Sequence, residues 1–98
     1  MADSLYKRLT DAEAAASADQ ATALASMAGF TAGTDDWKYW NQIQLAHAAR
    51  AASLDEELSA MLATGAAPYL AQFEAGTITI RELTDALASV KAGLLAPI

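Results

Sequence analysis

The chain has 98 residues, with twelve acidic and six basic side chains and a formal net charge of −6. A chain of this length builds one hydrophobic core, so the sequence predicts a single helical domain over residues 1–98. Non-specific binding to nucleic-acid phosphates takes clustered lysine and arginine, so the acidic balance argues against a nucleic-acid partner.

The composition favours helix over any other secondary structure. Hydrophobic residues make up 54% of the chain, but much of this fraction is alanine. Alanine has the highest helix propensity and buries little apolar area, so we expect an all-α fold with a small core. There is no cysteine, which excludes disulfides. No stretch has the length and apolar character of a signal-peptide core or a membrane span, and we expect no membrane partner.

The first predicted element is one helix over residues 4–28. Ser4 or Asp3 suits the N-cap, and Gly29 suits the position that ends the helix. Ser17 and Gln20 offer a capping box that would start a second helix, but the apolar register continues through them and favours a single helix. The apolar stripe consists of Leu5, Leu9, Ala12, Ala16, Ala23, Met27 and Phe30.

The second predicted element is a long helix over residues 35–64. Thr34 suits its N-cap, and Gly65 is expected to end it. Ser53 and Glu56 offer another internal capping box, which the unbroken stripe again overrides. That stripe consists of Trp40, Ile43, His47, Ala51, Leu54, Leu58 and Met61.

Two shorter helices are predicted after Gly65. Pro68 suits the first turn of a helix that Gly76 ends, and the TITI segment is expected to be an extended connector. Thr79 and Glu82 form a capping box for the last helix, which Gly93 is expected to end. Its stripe consists of Ile80, Leu83, Leu87, Val90 and Leu94. The sequence therefore predicts an antiparallel long-helix hairpin with two shorter C-terminal helices packed against it.

The TDDWKYW segment concentrates aromatic residues at the start of the second helix. Trp40 belongs to the stripe, and a helix turns about 100° per residue, so Trp37 and Tyr39 cannot both face the same way. They either fold over neighbouring helix ends or contact another chain, for which tryptophan and tyrosine are favoured. Leu45 lies outside the stripe and adds apolar surface.

Two further segments are candidate contact sites for a partner. The acidic run of Asp55, Glu56 and Glu57 is either a solvated surface or a patch that steers a basic partner. The C-terminal LLAPI segment is apolar throughout. The predicted partner-binding residues are Trp37, Tyr39, Leu45, Asp55, Glu56, Glu57, Leu95 and Ile98.

The sequence contains no recognisable catalytic, metal or cofactor motif. His47 is the single histidine, and no carboxylate stands three or four residues from it, so we expect a packed imidazole rather than a metal ligand or a base. Without cysteine, and without a serine in a nucleophile-elbow sequence, a catalytic triad lacks its parts. We expect neither an enzyme nor a bound cofactor.

These features predict a non-catalytic helical subunit for protein–protein interaction and assembly. A chain with so few large side chains gains by packing against other copies, as a homo-oligomer or in a larger particle such as a phage virion. The expected location is intracellular, in the cytoplasm or within a virion. The alternative is a small, acidic, soluble inhibitor or regulator that binds a partner protein.

Overall fold

The computed structural model describes residues 2–98, and this part of the chain is all-helical, with three α-helices and no strand. Helix α1 spans Leu5–Met27, α2 spans Asp35–Glu74 and α3 spans Ile80–Leu95. The chain divides into two compact units. One unit is Thr10–Glu56, and the other joins the residues up to Leu9 to the segment 57–98. A single domain over the whole chain stays a prediction.

Helix α1 is continuous through Ser17 and Gln20, as the sequence predicts. Its buried face differs in part from the predicted stripe, because Tyr6 is buried while its neighbour Leu5 is 50% exposed. Seven of its ten buried or half-buried positions recur at alternating spacings of three and four, which is the heptad pattern of a helix that follows a partner helix. These positions are Tyr6, Leu9, Glu13, Ala16, Gln20, Ala23 and Met27.

In the unit Thr10–Glu56, α1 and α2 pack as an antiparallel pair. Gln20 Nε2 donates a hydrogen bond to Gln44 Oε1 at 3.1 Å across the interface, and Gln44 is buried. Gln44 Nε2 also donates to Asn41 Oδ1 at 3.0 Å, so its amide is partnered at both ends. At the exposed edge, Arg50 forms an ion pair with Asp19 at 2.9 Å. The predicted hairpin of two long helices is supported in this unit.

The other unit contains a close approach between α2 and α3 at Gly65. A Cβ atom on Gly65 would lie only 2.6 Å from Val90 Cγ1, so the absent side chain makes room for Val90. The prediction that Gly65 ends the second helix is wrong, because the helix continues to Glu74. The glycine is placed for helix–helix packing and not for a helix end.

The short helix predicted to have Pro68 in its first turn is not a separate element. Pro68 lies inside α2, so the chain has one C-terminal helix after the long one and not two. Proline removes one helical hydrogen bond, here to the carbonyl of Thr64. Both residues are exposed, so water can reach that carbonyl and the helix continues past the proline.

The turn between α2 and α3 follows the local signals in the sequence. Gly76 has φ +76°, and its N–H donates to Phe73 O at 3.0 Å while Thr77 N–H donates to Gln72 O at 3.0 Å. This is the Schellman arrangement that ends a helix at glycine. Thr79 and Glu82 then form the predicted capping box, with both hydrogen bonds at 3.1 Å.

The C-terminal end of α3 is tied to the N-terminal end of α1. The Ser4 hydroxyl accepts a hydrogen bond from Lys7 N–H at 3.1 Å, as an N-cap does, and donates to Leu94 O at 2.6 Å. The Ile98 N–H donates to Ala2 O at 2.8 Å. The predicted end of the last helix at Gly93 is wrong, since α3 continues to Leu95.

The two helical glycines provide a matched test of this packing. We expect Gly93→Ala to raise the free energy of unfolding by about 0.5–1 kcal/mol, because no atom lies within 4 Å of the added Cβ and alanine is the better helix former. Gly65→Ala should instead lower it by about 1–2 kcal/mol, because the clash with Val90 outweighs the same gain. Urea unfolding of both variants, and of Gly65→Ala combined with Val90→Ala, measures the difference. A stabilising Gly65→Ala would contradict the close approach.

Candidate protein-binding surface

The chain buries few large side chains. The buried apolar residues of the described chain are Tyr6, Leu58 and Leu83 together with three alanines. No large side chain in residues 2–98 is fully buried. Since alanine contributes little apolar area, the hydrophobic stabilisation of each unit rests on a handful of partly covered side chains.

Large hydrophobic side chains are instead common on the surface. Nine of them are exposed among the described residues, and their exposure ranges from 38% to 76%. They are Leu5, Leu24, Phe30, Tyr39, Leu45, Leu70, Phe73, Ile80 and Ile98. A single exposed leucine is ordinary, so the distinguishing feature of this chain is the number of exposed large hydrophobic side chains beside so small a core.

The aromatic cluster at the start of α2 is divided between an inner and an outer side. Trp37 and Trp40 are both half-buried, whereas Tyr39 is 59% exposed. The rings of Tyr39 and Trp40 meet edge to face, with centroids 5.4 Å apart and planes at 77°. Thr34 caps this end of the helix, since its hydroxyl lies 3.4 Å from Trp37 N. Of the three aromatics, Tyr39 is therefore the one most accessible to a partner.

The remaining predicted contact residues are spread over the surface. Leu45 is 54% exposed and lies on the side of α2 away from α1. The Asp55, Glu56 and Glu57 side chains are all exposed, but consecutive helical residues point about 100° apart, so they do not form a single acidic face. At the C-terminus, Leu95 is half-buried and Ile98 is 76% exposed.

His47 is half-buried on the inner side of α2, together with Trp40. Residues 2–98 contain no group of three or more histidine, cysteine, aspartate or glutamate side chains placed to hold a metal ion. In the same residues, no helix combines the length and the apolar character needed to cross a membrane.

The chain matches no protein-family model, no curated protein and no solved structure. Its function must therefore be inferred from the surface that the described residues present.

The sequence prediction missed a second heptad pattern on α2, which we call the outer seam. It comprises Lys38, Gln42, Leu45, Ala49, Ala52 and Glu56, spaced alternately by four and three residues. Every one of these residues is exposed. Three of the six residues are polar or charged and two are alanines. Leu45 is the one large apolar residue among them, so a search for stripes of large apolar residues does not find this pattern.

The outer seam lies on the far side of α2 from the residues that face α1. Nine positions of α2 in this unit are buried or half-buried, namely Trp37, Trp40, Asn41, Ile43, Gln44, His47, Ala48, Ala51 and Leu54. At about 100° per residue the two sets are centred roughly 140° apart around the helix. Helix α2 thus has one face packed on α1 and a nearly opposite face that no described residue covers.

Proposed function

We propose that this protein is a non-catalytic helical subunit that assembles with copies of itself, alone or in a larger particle. The observation that carries the proposal is the surplus of exposed large hydrophobic side chains over buried ones. Burying one leucine or phenylalanine contributes about 1.5–3 kcal/mol, so covering several of them stabilises an assembly substantially. A component of a virus particle, such as a phage virion, is one specific form of this proposal.

The chemistry of the surface favours protein as the partner. With a net charge of −6, the chain repels nucleic-acid phosphates and anionic lipid headgroups. Tyrosine and leucine side chains, exposed here at Tyr39 and Leu45, are suited to contacts in the dehydrated centre of a protein interface. An enzyme is disfavoured because the sequence has no cysteine, and its single histidine, His47, has no carboxylate three or four residues away on the helix.

The alternative function is a small soluble inhibitor or regulator that binds a partner through its acidic residues. The exposure of Asp55, Glu56 and Glu57 favours it, because three charges within one helical turn can steer a basic partner. Their divergent directions weaken it, since only part of the run can contact one flat surface. We therefore rank assembly first.

Sedimentation velocity with light scattering, at concentrations from low micromolar to near millimolar, tests the proposal. We expect the average mass to rise with concentration and the unfolding midpoint to rise with it, because association stabilises the folded state by mass action. A chain that stays monomeric over the whole range, with a midpoint independent of concentration, would contradict self-assembly and leave the inhibitor as the better function.

A further inference from the structure

The outer seam has a simple distribution of charge. Lys38 lies at its N-terminal end and Glu56 at its C-terminal end, with neutral side chains between them. The other charged residues of this stretch, Arg50 and Asp55, lie at least about 100° away around the helix. Neither Lys38 nor Glu56 forms an ion pair with any described residue, whereas Arg50 is paired with Asp19.

This arrangement is complementary to itself in the antiparallel direction. Suppose that two copies of α2 run antiparallel and that the two-fold axis relating them passes near His47. Lys38 of each copy then lies level with Glu56 of the other. Two symmetry-related ion pairs form, as expected for a two-fold interface in which the same patch is used twice. In a parallel arrangement Lys38 would face Lys38 and Glu56 would face Glu56, so both ends would repel.

The same register places large side chains opposite small ones. Leu45 of one copy lies level with Ala49 of the other, and Gln42 lies level with Ala52. Small residues allow two helices to approach closely, and the exposed Leu45 side chain fills the space between the alanines. Shape and charge therefore select the same direction and the same register.

We propose that a second copy of this chain docks antiparallel along the outer seam of α2, with Leu45 at its centre and Lys38–Glu56 ion pairs at its two ends. This inference rests on the proposed self-assembly and names the surface that carries it. The seam covers 19 residues of helix, about 28 Å at 1.5 Å per residue, which is a small interface. Dimerisation through it is expected at micromolar concentrations or higher.

Charge reversal gives the sharpest test. Lys38→Glu and Glu56→Lys, each examined alone, should weaken self-association about tenfold, because each dimer then contains two like-charge pairs. An equimolar mixture of the two variants should associate again. In the mixed dimer the two substituted side chains lie opposite each other, and so do the unchanged Lys38 and Glu56, so each pair again joins one acidic and one basic group. Sedimentation velocity at low salt measures all three samples.

The neutral centre is tested with Leu45→Ala, which should weaken association by about 10- to 100-fold because each dimer loses two leucine side chains. Leu24→Ala is the matched control, since Leu24 is also an exposed leucine of the same unit but lies on α1. It should leave association unchanged. Circular dichroism of every variant checks that the helix content is retained.

The absence of cysteine allows the direction to be measured by cross-linking. A mixture of Gln42→Cys and Ala52→Cys chains should form a disulfide between the two variants in preference to disulfides within each. Preferential Gln42→Cys homodimers would mean a parallel pair and overturn the proposal. It is also overturned if the wild-type chain associates and the Leu45 and charge variants associate equally well, a result that leaves self-assembly intact. A wild-type chain that never associates overturns both.

Discussion

Replacing Leu83 with alanine is expected to lower the free energy of unfolding by about 2–5 kcal/mol. Leu83 is 5% exposed and is the one buried residue of α3. Truncation removes most of its buried apolar area and leaves a cavity in its place. Such a loss is a large share of the stability of a small domain, so the variant should unfold at a much lower urea concentration.

Ile80→Ala is the matched control for this prediction. Ile80 also lies on α3 and in the predicted apolar stripe, but it is 63% exposed, so its loss should change stability by less than about 0.5 kcal/mol. Leu87 is half-buried, and Leu87→Ala should fall between the two. Equal losses at Ile80 and Leu83 in urea unfolding would show that α3 does not pack through the face that contains Leu83.

The helices and their caps were predictable because their signals are local. The Thr79–Glu82 capping box and the Gly76 helix end depend on residues within one or two turns, and both are confirmed. Ser4 was one of two predicted N-caps, with Asp3, for the same reason, and it is the residue whose hydroxyl accepts from Lys7 N–H. Its second hydrogen bond, to Leu94, joins residues at opposite ends of the chain, and no local pattern contains that information.

The errors in α2 arose where tertiary contacts override local preference. Glycine and proline usually mark helix ends, which is why Gly65 and Pro68 predicted a break. The fit of Val90 against Gly65 gives the glycine a role inside the helix, and this fit becomes visible only when α3 is placed. A helix-breaking residue in sequence can therefore be a helix-packing residue in the fold.

The buried face of α1 differs from the predicted apolar stripe for a different reason. A stripe built from hydrophobic residues passes over Glu13 and Gln20, although both occupy the more buried side. Gln20 is held there by its hydrogen bond to Gln44, and a polar pair of this kind satisfies itself across a helix interface. The outer seam was missed for the same reason, because a search for apolar residues passes over Lys38 and Glu56 at its two ends. Tyr39 and Leu45 were found because they are large.

The second large effect is expected for Trp40→Ala, which should lower the free energy of unfolding by about 2–4 kcal/mol, somewhat less than for a fully buried tryptophan. Trp40 is half-buried on the inner face of α2. Counted from the Gln20–Gln44 hydrogen bond along antiparallel helices, it lies near the level of Ala23, which is only 2% exposed. Alanine at both positions would leave a gap between α1 and α2 with no large side chain to fill it.

Tyr39→Ala is the control that distinguishes the packing of Trp40 between α1 and α2 from its ring contact with Tyr39. Tyr39 is 59% exposed, so its truncation removes chiefly the edge-to-face contact with Trp40, worth about 0.5–1.5 kcal/mol. Urea unfolding followed by circular dichroism should therefore show the larger loss for Trp40→Ala. If the two variants lose equal stability, Tyr39 belongs to the fold as much as Trp40 does. The aromatic cluster would then have no residue free to bind a partner without loss of stability. Leu45 would remain as the large apolar residue available for contact on the outer side of α2 in this unit.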